Sequence, residues 1–357
     1  MKNIDLSVII PMYNEEEIIA GTIEAVVREL ESLKYSDSAV GGASLRSGRM
    51  TDSPDEAGSH KEQPPRKINW ELILVNDGSV DGTLQACEEN RQGDERISIV
   101  DYSPNRGRGY ALRRGFAAAR GDLVISIDAD LTYSPEHITR IWRELNSSGV
   151  DIVLGSVYMK GGRAENVPFK RLLISRLGNM ILGLTFPGRI KTITCVLRGY
   201  RREVLDSLEL ESDGKEIHLE ILAKAISVGF RVKEIPAVLT ARKKGKSKFR
   251  FRATSISHLL FSFYQKPMII FGLLGFIMVL IGFILGGVFV IQRYMGILNP
   301  TRPIFILMVL LLLAGIQMLS FGFIANQIGI IKKEIYKIQK ENLGIEKCLK
   351  DISSPPE

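Results

Sequence analysis

The feature that most restricts how this chain can fold lies in its last third. From Met268 to Ile291 the sequence reads "MIIFGLLGFIMVLIGFILGGVFVI", and from Ile304 to Ile331 it is apolar again, broken by Gln317, Ser320, Asn326 and Gln327. Each run exceeds the roughly 20 residues that a helix needs to cross a hydrocarbon layer of ~30 Å. The segment between them, "QRYMGILNPTRP", is short, so spans 268–291 and 304–331 are expected to form a hairpin (268–331) with both outer ends on one side. A pair of soluble core helices is the alternative, disfavoured because uncharged stretches of this length are hard to cover with protein alone.

Charge orients the hairpin. Arg242, Lys243, Lys244, Lys246, Lys248, Arg250 and Arg252 precede the first span and Lys332, Lys333, Lys337 and Lys340 follow the second, whereas the connecting segment carries Arg293 and Arg302. The positive-inside bias then predicts an integral membrane protein whose N-terminal domain and basic tail, residues 332–357, are cytoplasmic. The N-terminus, "MKNIDLSVIIPMYNE", has too short an apolar core for a signal peptide. A net charge of +7 attracts any polyanion. With the cations gathered around the spans, the expected partners are phosphate groups and the lipid bilayer, with no nucleic acid. Cys87, Cys195 and Cys348 have no metal-site spacing and are odd in number, which reads as reduced thiols facing cytosol. In residues 251–267, Ile256, Leu259, Leu260 and Phe263 recur on one helical face opposite Ser255, Ser257, His258 and Ser262. This predicts an amphipathic helix in the membrane interface, with a helix packed on the soluble domain as the alternative.

Residues 1–250 alternate strand and helix patterns. Segments 6–12, 71–77, 97–102 and 123–129 are short and apolar, as buried parallel strands should be. Helical segments follow them at Glu15–Leu33, Asp81–Arg91, Gly107–Ala119 and Pro135–Leu145. The fold class is therefore α/β, a Rossmann-like and mostly parallel doubly wound sheet with its ligand site at the carboxyl ends of the strands. Residues 35–67 are rich in Ser, Gly, Pro and charge without apolar period and are expected as a disordered insertion.

Polar signatures fall at those strand ends: "PMYNEEE" after the first, "NDGSVDGT" after the second, "DADLT" after the fourth. In the second, Asn76, Asp77 and Asp81 surround Gly78 and Gly82 in a tight turn opening a helix, whose N-terminus favours an anion or a polar ligand. On its own such a turn is common. Asp128 and Asp130 are more specific. Carboxylates at i and i+2 of an extended segment share a side and repel, unless both reach one hard cation or divide the work between a cation and a sugar hydroxyl. Mg²⁺ or Mn²⁺ keeps waters and is commonly completed by substrate phosphates, so a cation with a diphosphate would account for the pair.

In these motifs the chain resembles the family 2 glycosyltransferases of GT-A fold, and among them the polyprenyl-phosphate sugar synthases of dolichyl-phosphate mannose synthase type. The resemblance covers residues 5–265 apart from the insertion, through "PMYNE", "NDGSVDGT", "NRGRGYALRRG", "DADLTYSPE", "GSVYMKGGRAENVPFKR" and "RKKGKSKF" in order. It implies that Pro11, Tyr13, Glu15 and Asp77 hold the nucleotide, and that Asp128 and Asp130 hold the donor's sugar-phosphate part and its Mg²⁺ or Mn²⁺. Arg171, Arg242 and Lys248 would bind acceptor and donor phosphates. The bland reading of that basic loop is a solvated or lipid-attracted surface.

The chain departs from the family pattern at several places. Val157 replaces an Arg that contacts phosphate, Thr132 stands where a Gln often helps ligate metal, Thr192 replaces Asp, and Val196-Leu197 replaces Gly-Phe. A Rossmann dehydrogenase is disfavoured, because no GxGxxG follows the first strand and the arginines of "NRGRGYALRRG" look like nucleotide or phosphate contacts. Processive polysaccharide synthases carry a QxxRW signature and more spans, neither found here. The expected function is inverting, metal-dependent transfer of one sugar from a nucleotide diphosphate sugar, GDP-mannose first, to dolichyl or polyprenyl phosphate at the cytoplasmic face. The alternatives are a UDP-glucose-dependent enzyme and a catalytically weakened membrane-anchored nucleotide-sugar-binding module. A homo-oligomer stays open.

Overall fold

The computed structural model describes residues 4–35, 66–168, 172–173, 175–176, 178–180, 190–240, 267–296 and 303–353. They divide into two compact units, residues 1–250 and 251–357.

The first unit is built on a seven-stranded sheet. Its strands, in chain order, include β1 (Leu6–Met12), β4 (Trp70–Asp77), β5 (Ile97–Tyr102), β6 (Leu123–Ser126), β7 (Ile152–Ser156), β9 (Arg198–Arg201) and β10 (Val232–Pro236), in the spatial order β10-β7-β9-β6-β1-β4-β5. All run parallel except β9, which is antiparallel to both β6 and β7. Both faces of β1 and β4 are buried, which explains the apolar runs Val8–Met12 and Leu72–Val75 within them. Helices α1 (Glu16–Ser32), α2 (Thr83–Arg91), α3 (Arg108–Ala118), α4 (Glu136–Ser147), α5 (Arg202–Asp206) and α6 (Ile217–Ser227) connect them. On α1 the buried residues Ile19, Ile23, Val26 and Leu30 recur every three to four positions, the stripe that turns one helical face to the sheet. Gly115 of α3 faces β1 and β4, where a Cβ would stand 2.5 Å from Ile9 Cγ2.

Four anticipated strands and four helices are present with small shifts at their ends. The strand expected over 123–129 stops at Ser126, because β6 pairs with β1 only over Leu6–Ile9 and the chain then leaves the sheet. The antiparallel β9 and the second half of the sheet follow no alternation readable in advance.

Two short ladders flank the main sheet. β2 (Lys34–Tyr35) pairs antiparallel with β3 (Arg66–Lys67), so the ends of the interval 35–67 are ordered strand, a correction to its expected boundaries. Residues 36–65 lie outside the described residues, as does the interface helix expected before Pro267. β8 (Arg163–Glu165) pairs in parallel with β11 (Val238–Thr240), and a bridge joins Tyr133 to Leu239. His137 fastens this ladder to α4: its Nε2 accepts a hydrogen bond from the Val238 amide at 3.1 Å, and its Nδ1 lies 2.9 Å from the Ser134 carbonyl. An imidazole that accepts at Nε2 is neutral with its proton on Nδ1.

The second unit holds α7 (Pro267–Tyr294) and α8 (Pro303–Ser353). Phe271–Tyr294 and Pro303–Ile331 are long and apolar enough to cross a membrane. The two helices approach closely at glycines: a Cβ on Gly275 would stand 2.8 Å from the Gly315 carbonyl oxygen, and one on Gly315 would stand 2.6 Å from Val279 Cγ2. Small residues at such contacts let apolar helices pack by van der Waals complementarity. The outward faces carry exposed Phe276, Phe283, Leu310 and Phe323, a surface suited to lipid.

Two outcomes follow. Burial is the main cause that lowers the His137 pKa below the ordinary 6.5, with Arg140 adding to it. A lowered value in the fold means that this contribution to stability is complete above about pH 6.5 and is lost as pH falls through the lowered pKa. The thermal midpoint of the native chain should fall between pH 7.5 and 5, and the fall should be smaller in His137→Gln, whose amide oxygen can accept from Val238 without titrating; equal falls in both proteins would refute this. Because Tyr35 already pairs with Arg66, a short Asn-Gly turn in place of residues 36–65 should close the ladder. Loop-length entropy changes slowly, so thermal midpoint and turnover should stay close to those of the intact chain, and loss of folding would show that the interval is structural.

Candidate active site

Parallel pairing brings the carboxyl ends of β1, β4 and β6 to one edge of the sheet, and the predicted motifs lie there. Pro11 is buried within β1, opposite Val75 of β4. Tyr13 and Glu15 follow it, each half-exposed. The loops after β1 and β4 are stitched together. The Asn14 amide donates to Ser79 Oγ at 2.9 Å, Asn14 Oδ1 accepts from the Val80 amide at 2.9 Å, and the Glu15 amide donates to Thr83 Oγ1 at 2.8 Å. Asn14 pays for this with a left-handed backbone, φ 53°.

The α2 N-terminus, read from sequence as a place for an anion, is already served by the chain itself. The Gly82 amide donates to Glu16 Oε2 at 2.9 Å, and the Thr83 amide donates to Asp81 Oδ1 at 3.1 Å. These two carboxylates satisfy helix-end donors, which corrects the expectation of an open anion site there.

Asp77 is likewise heavily engaged. Its carboxylate accepts from Tyr102 Oη at 3.0 Å, Asn105 Nδ2 at 2.9 Å, the Arg106 amide at 2.8 Å and the Gly107 amide at 3.0 Å, and Asp77 is buried. Burial, followed by the Asp77 charge, pushes the Tyr102 phenol well up, keeping it a donor. Asp77 therefore organises the turn from β5 into α3. That turn comes so close to Gly78 that a Cβ there would lie 2.5 Å from the Asn105 nitrogen; with φ 64°, the position requires glycine.

The aspartate pair lies just beyond β6. The Ile127 amide makes the last tie to β1, on the Ile9 carbonyl at 3.1 Å, and a turn follows in which the Leu131 amide donates to the Asp128 carbonyl at 3.3 Å. Leu131 takes φ 48°, a conformation leucine rarely adopts and one that costs of order 1–3 kcal/mol. The turn is held from both sides. Thr22 Oγ1 of α1 donates to the Ala129 carbonyl at 2.6 Å, and the Thr240 amide of β11 donates to the Thr132 carbonyl at 2.9 Å. Asp128 and Asp130 are half-exposed. Asp128 Oδ1 lies 3.0 Å from Arg108 Nη2 at the start of α3. Asp130 Oδ1 accepts from the Thr132 amide at 3.1 Å, and its second oxygen has no partner among the described residues.

This donor set fits a hard divalent cation of a particular kind. Two neighbouring carboxylates supply oxygens, and among the described residues no cluster of three or more His, Cys, Asp or Glu offers a complete cage. Such a site suits an ion whose other positions are filled by water and phosphate. Thr132 is half-exposed beside the pair, with its carbonyl committed to Thr240.

Two of the departures from the family pattern, Val157 and Thr192, are packed inward. Val157 belongs to the apolar core and offers no donor, and Thr192 is buried with Oγ1 2.6 Å from Ser156 Oγ. The segment leading to β9 is fixed by Arg198, a fully buried guanidinium that donates to the carbonyls of Cys195 at 2.7 Å and His218 at 2.8 Å, and to that of Ile193. Sequence reasoning passed over Arg198, Thr22 and Glu16, and in "NRGRGYALRRG" it did not separate the arginines. Arg106 stacks on Tyr110, Arg113 pairs with Asp213, and Arg108 reaches Asp128. Arg171, Arg242 and Lys248 lie outside the described residues. The strands leading to them, β8 and β11, are the ladder bonded to the aspartate turn.

Comparison with known proteins gives the family. Residues 59–209 match glycosyl transferase family 2. The chain is 33% identical over 184 residues to a polyprenol monophosphomannose synthase of Mycolicibacterium smegmatis, covering 50% of this chain and 69% of that protein. It is 34% identical over 186 residues to a dolichol-phosphate mannosyltransferase of Pyrococcus furiosus, covering 51% of each, so the match spans about half the length of that relative. A third relative, an undecaprenyl-phosphate 4-deoxy-4-formamido-L-arabinose transferase of Proteus mirabilis, is 28% identical over 357 residues, 96% of this chain and 95% of that protein. With a mostly parallel GT-A sheet that carries its aspartate pair at the carboxyl end of β6, the chain belongs to glycosyl transferase family 2 and is a glycosyltransferase.

Proposed function

We propose that the enzyme moves one sugar from a nucleotide diphosphate sugar to a polyprenyl phosphate. The observation that carries this reading is the Asp128–Asp130 turn, anchored by Thr22 and Thr240, with one Asp130 oxygen uncommitted among the described residues. A lipid phosphate acceptor is supported by the relatives, whose names differ in sugar and share a polyprenyl-type phosphate or phosphomannose product.

The acceptor's own chemistry removes one demand on the protein. A sugar hydroxyl is a weak acid and needs a general base to attack. A phosphate monoester has a second pKa near ~6 and is mostly dianionic at neutral pH. The residues therefore need to position rather than deprotonate. Asp128 and Asp130 would hold Mg²⁺ or Mn²⁺, which when bound neutralises charge on the leaving diphosphate. Pro11, Tyr13, Glu15 and Asp77 would hold the nucleotide, and Arg171, Arg242 and Lys248 would orient the phosphates for in-line attack and inversion. GDP-mannose is the first donor, supported by the two relatives named for mannose. A second reading, a UDP-linked sugar such as UDP-glucose, draws on the relative that matches over nearly the whole chain and is named for a different sugar. The apolar helices would anchor the enzyme in the bilayer, with the catalytic unit and tail on the cytoplasmic side.

Incubation with dolichyl phosphate and a panel of nucleotide sugars, followed by mass spectrometry of the lipid, tests the assignment. A hexose should be added with inverted configuration, a β-linked product from an α-linked donor, and polyprenol lacking phosphate should not react. Glycosylation of free polyprenol or of a soluble sugar at a similar rate would overturn it. Asp130→Ala should lower turnover on the order of 10²–10³-fold or more, and EDTA should abolish it, with Mn²⁺ restoring the native enzyme and not the variant; full activity in EDTA would remove the metal from the mechanism. Arg242→Ala and Lys248→Ala should lower turnover chiefly through weaker phosphate binding, seen as a raised KM for the lipid.

A further inference from the structure

The aspartate pair poses an electrostatic question that the anchoring bonds leave open, namely what balances it before any ligand arrives. The chain supplies Arg108, whose Nη2 stands 3.0 Å from Asp128 Oδ1, with the two side chains 34% and 17% exposed. We propose that Arg108 is a further donor-binding residue, which serves as counter-ion to Asp128 in the ligand-free enzyme and passes to the donor's diphosphate when a divalent cation takes its place. This rests on the metal and diphosphate reading above.

Arg108 is the first residue of α3, and its backbone cannot shift. The Gly107 amide is bound to the Asp77 carboxylate, and the Gly109 amide donates to the Asp213 carbonyl at 2.7 Å. A Cβ on Gly109 would lie 2.3 Å from the Ser212 carbonyl oxygen, so the helix start is wedged against that loop. Only the side chain is left to move. Its neighbours are committed elsewhere. Arg106 stacks 3.9 Å above Tyr110 and pairs with Asp213 at 3.5 Å, and Arg113 also pairs with Asp213. Arg108 alone of these three reaches the pair.

Charge determines the exchange. A divalent cation placed on two carboxylates already paired with an arginine leaves excess positive charge, so cation and guanidinium compete for Asp128. A nucleotide diphosphate brings the missing negative charge, and a planar guanidinium matches phosphate oxygens bidentately. Arg108 should therefore weaken binding of the cation alone and strengthen binding of cation and diphosphate together. A purely structural ion pair predicts no such reversal of sign.

The test is titration of the full chain with Mn²⁺ alone, followed by electron paramagnetic resonance, and then with GDP and with UDP at saturating Mn²⁺, for the native protein, Arg108→Gln and Arg108→Lys. Arg108→Gln should bind Mn²⁺ roughly two- to fivefold more tightly, the scale of a partly exposed ion pair. It should bind the better nucleotide roughly 10–100-fold more weakly, the scale of a lost charge-assisted hydrogen bond. Arg108→Lys should recover part of the nucleotide affinity. Unchanged or weaker Mn²⁺ binding by Arg108→Gln, or unchanged nucleotide binding, overturns the inference while a native protein that binds Mn²⁺ keeps the functional reading. A native protein that binds no Mn²⁺ overturns both.

Discussion

The candidate site depends on how β1 is clasped. β1 pairs with β4 through Met12 and with β6 only as far as Ile9. Three residues of strand at about 3.3 Å each leave a step of roughly 10 Å on the β6 side. Into that step the chain places the turn with Asp128 and Asp130, while the longer β1–β4 pairing carries the Asn14 and Asp77 loops. Sheets of this kind bind ligands where connections diverge to opposite sides of a strand, and the unequal pairing is the local form of that rule. If β6 continued in register to Asp130, both carboxylates would stand on one face of the sheet and the turn would be lost.

Much of this was legible in the sequence, for a stated reason. Strands buried on both faces are largely apolar, so β1, β4 and β6 announce themselves, and the polar residues that follow their apolar runs mark the strand ends. The aspartate pair is conspicuous because nothing in a core explains it. What escaped is long-range or conformational. Nothing near Thr22 says that its hydroxyl will hold a carbonyl 107 positions away. Leucine gives no warning of the left-handed backbone at Leu131, which tertiary bonds impose. The antiparallel β9 inserts between β6 and β7 through pairing partners distant in sequence, and a mostly parallel reading cannot locate it. Nor does Glu16 announce from its place in the sequence that its carboxylate will serve the start of α2.

Comparing carboxylates separates scaffold from site. Glu71, buried at the amino end of β4, accepts from Ser7 Oγ at 2.6 Å and is paired with Arg120 at 2.7 Å. Glu220 accepts from the amides of Glu211 and Ser212, each at 2.9 Å, and from Lys224. These groups meet the rule that buried charge must be balanced and bonded. Asp130, half-exposed and with one oxygen uncommitted among the described residues, does not follow that pattern, as the proposed ligand role requires.

The length of α8 has a consequence of its own. At 1.5 Å per residue its 51 residues make a rod of roughly 77 Å. A hydrocarbon layer takes up about 30 Å of helix, and Pro303–Ile331 is apolar over 29 residues. With that stretch in a bilayer, the 22 residues from 332 to 353 continue as helix for roughly 33 Å past the apolar segment. The second span is then also the base of a mast, a helix whose far end reaches well past the thickness of the hydrocarbon layer.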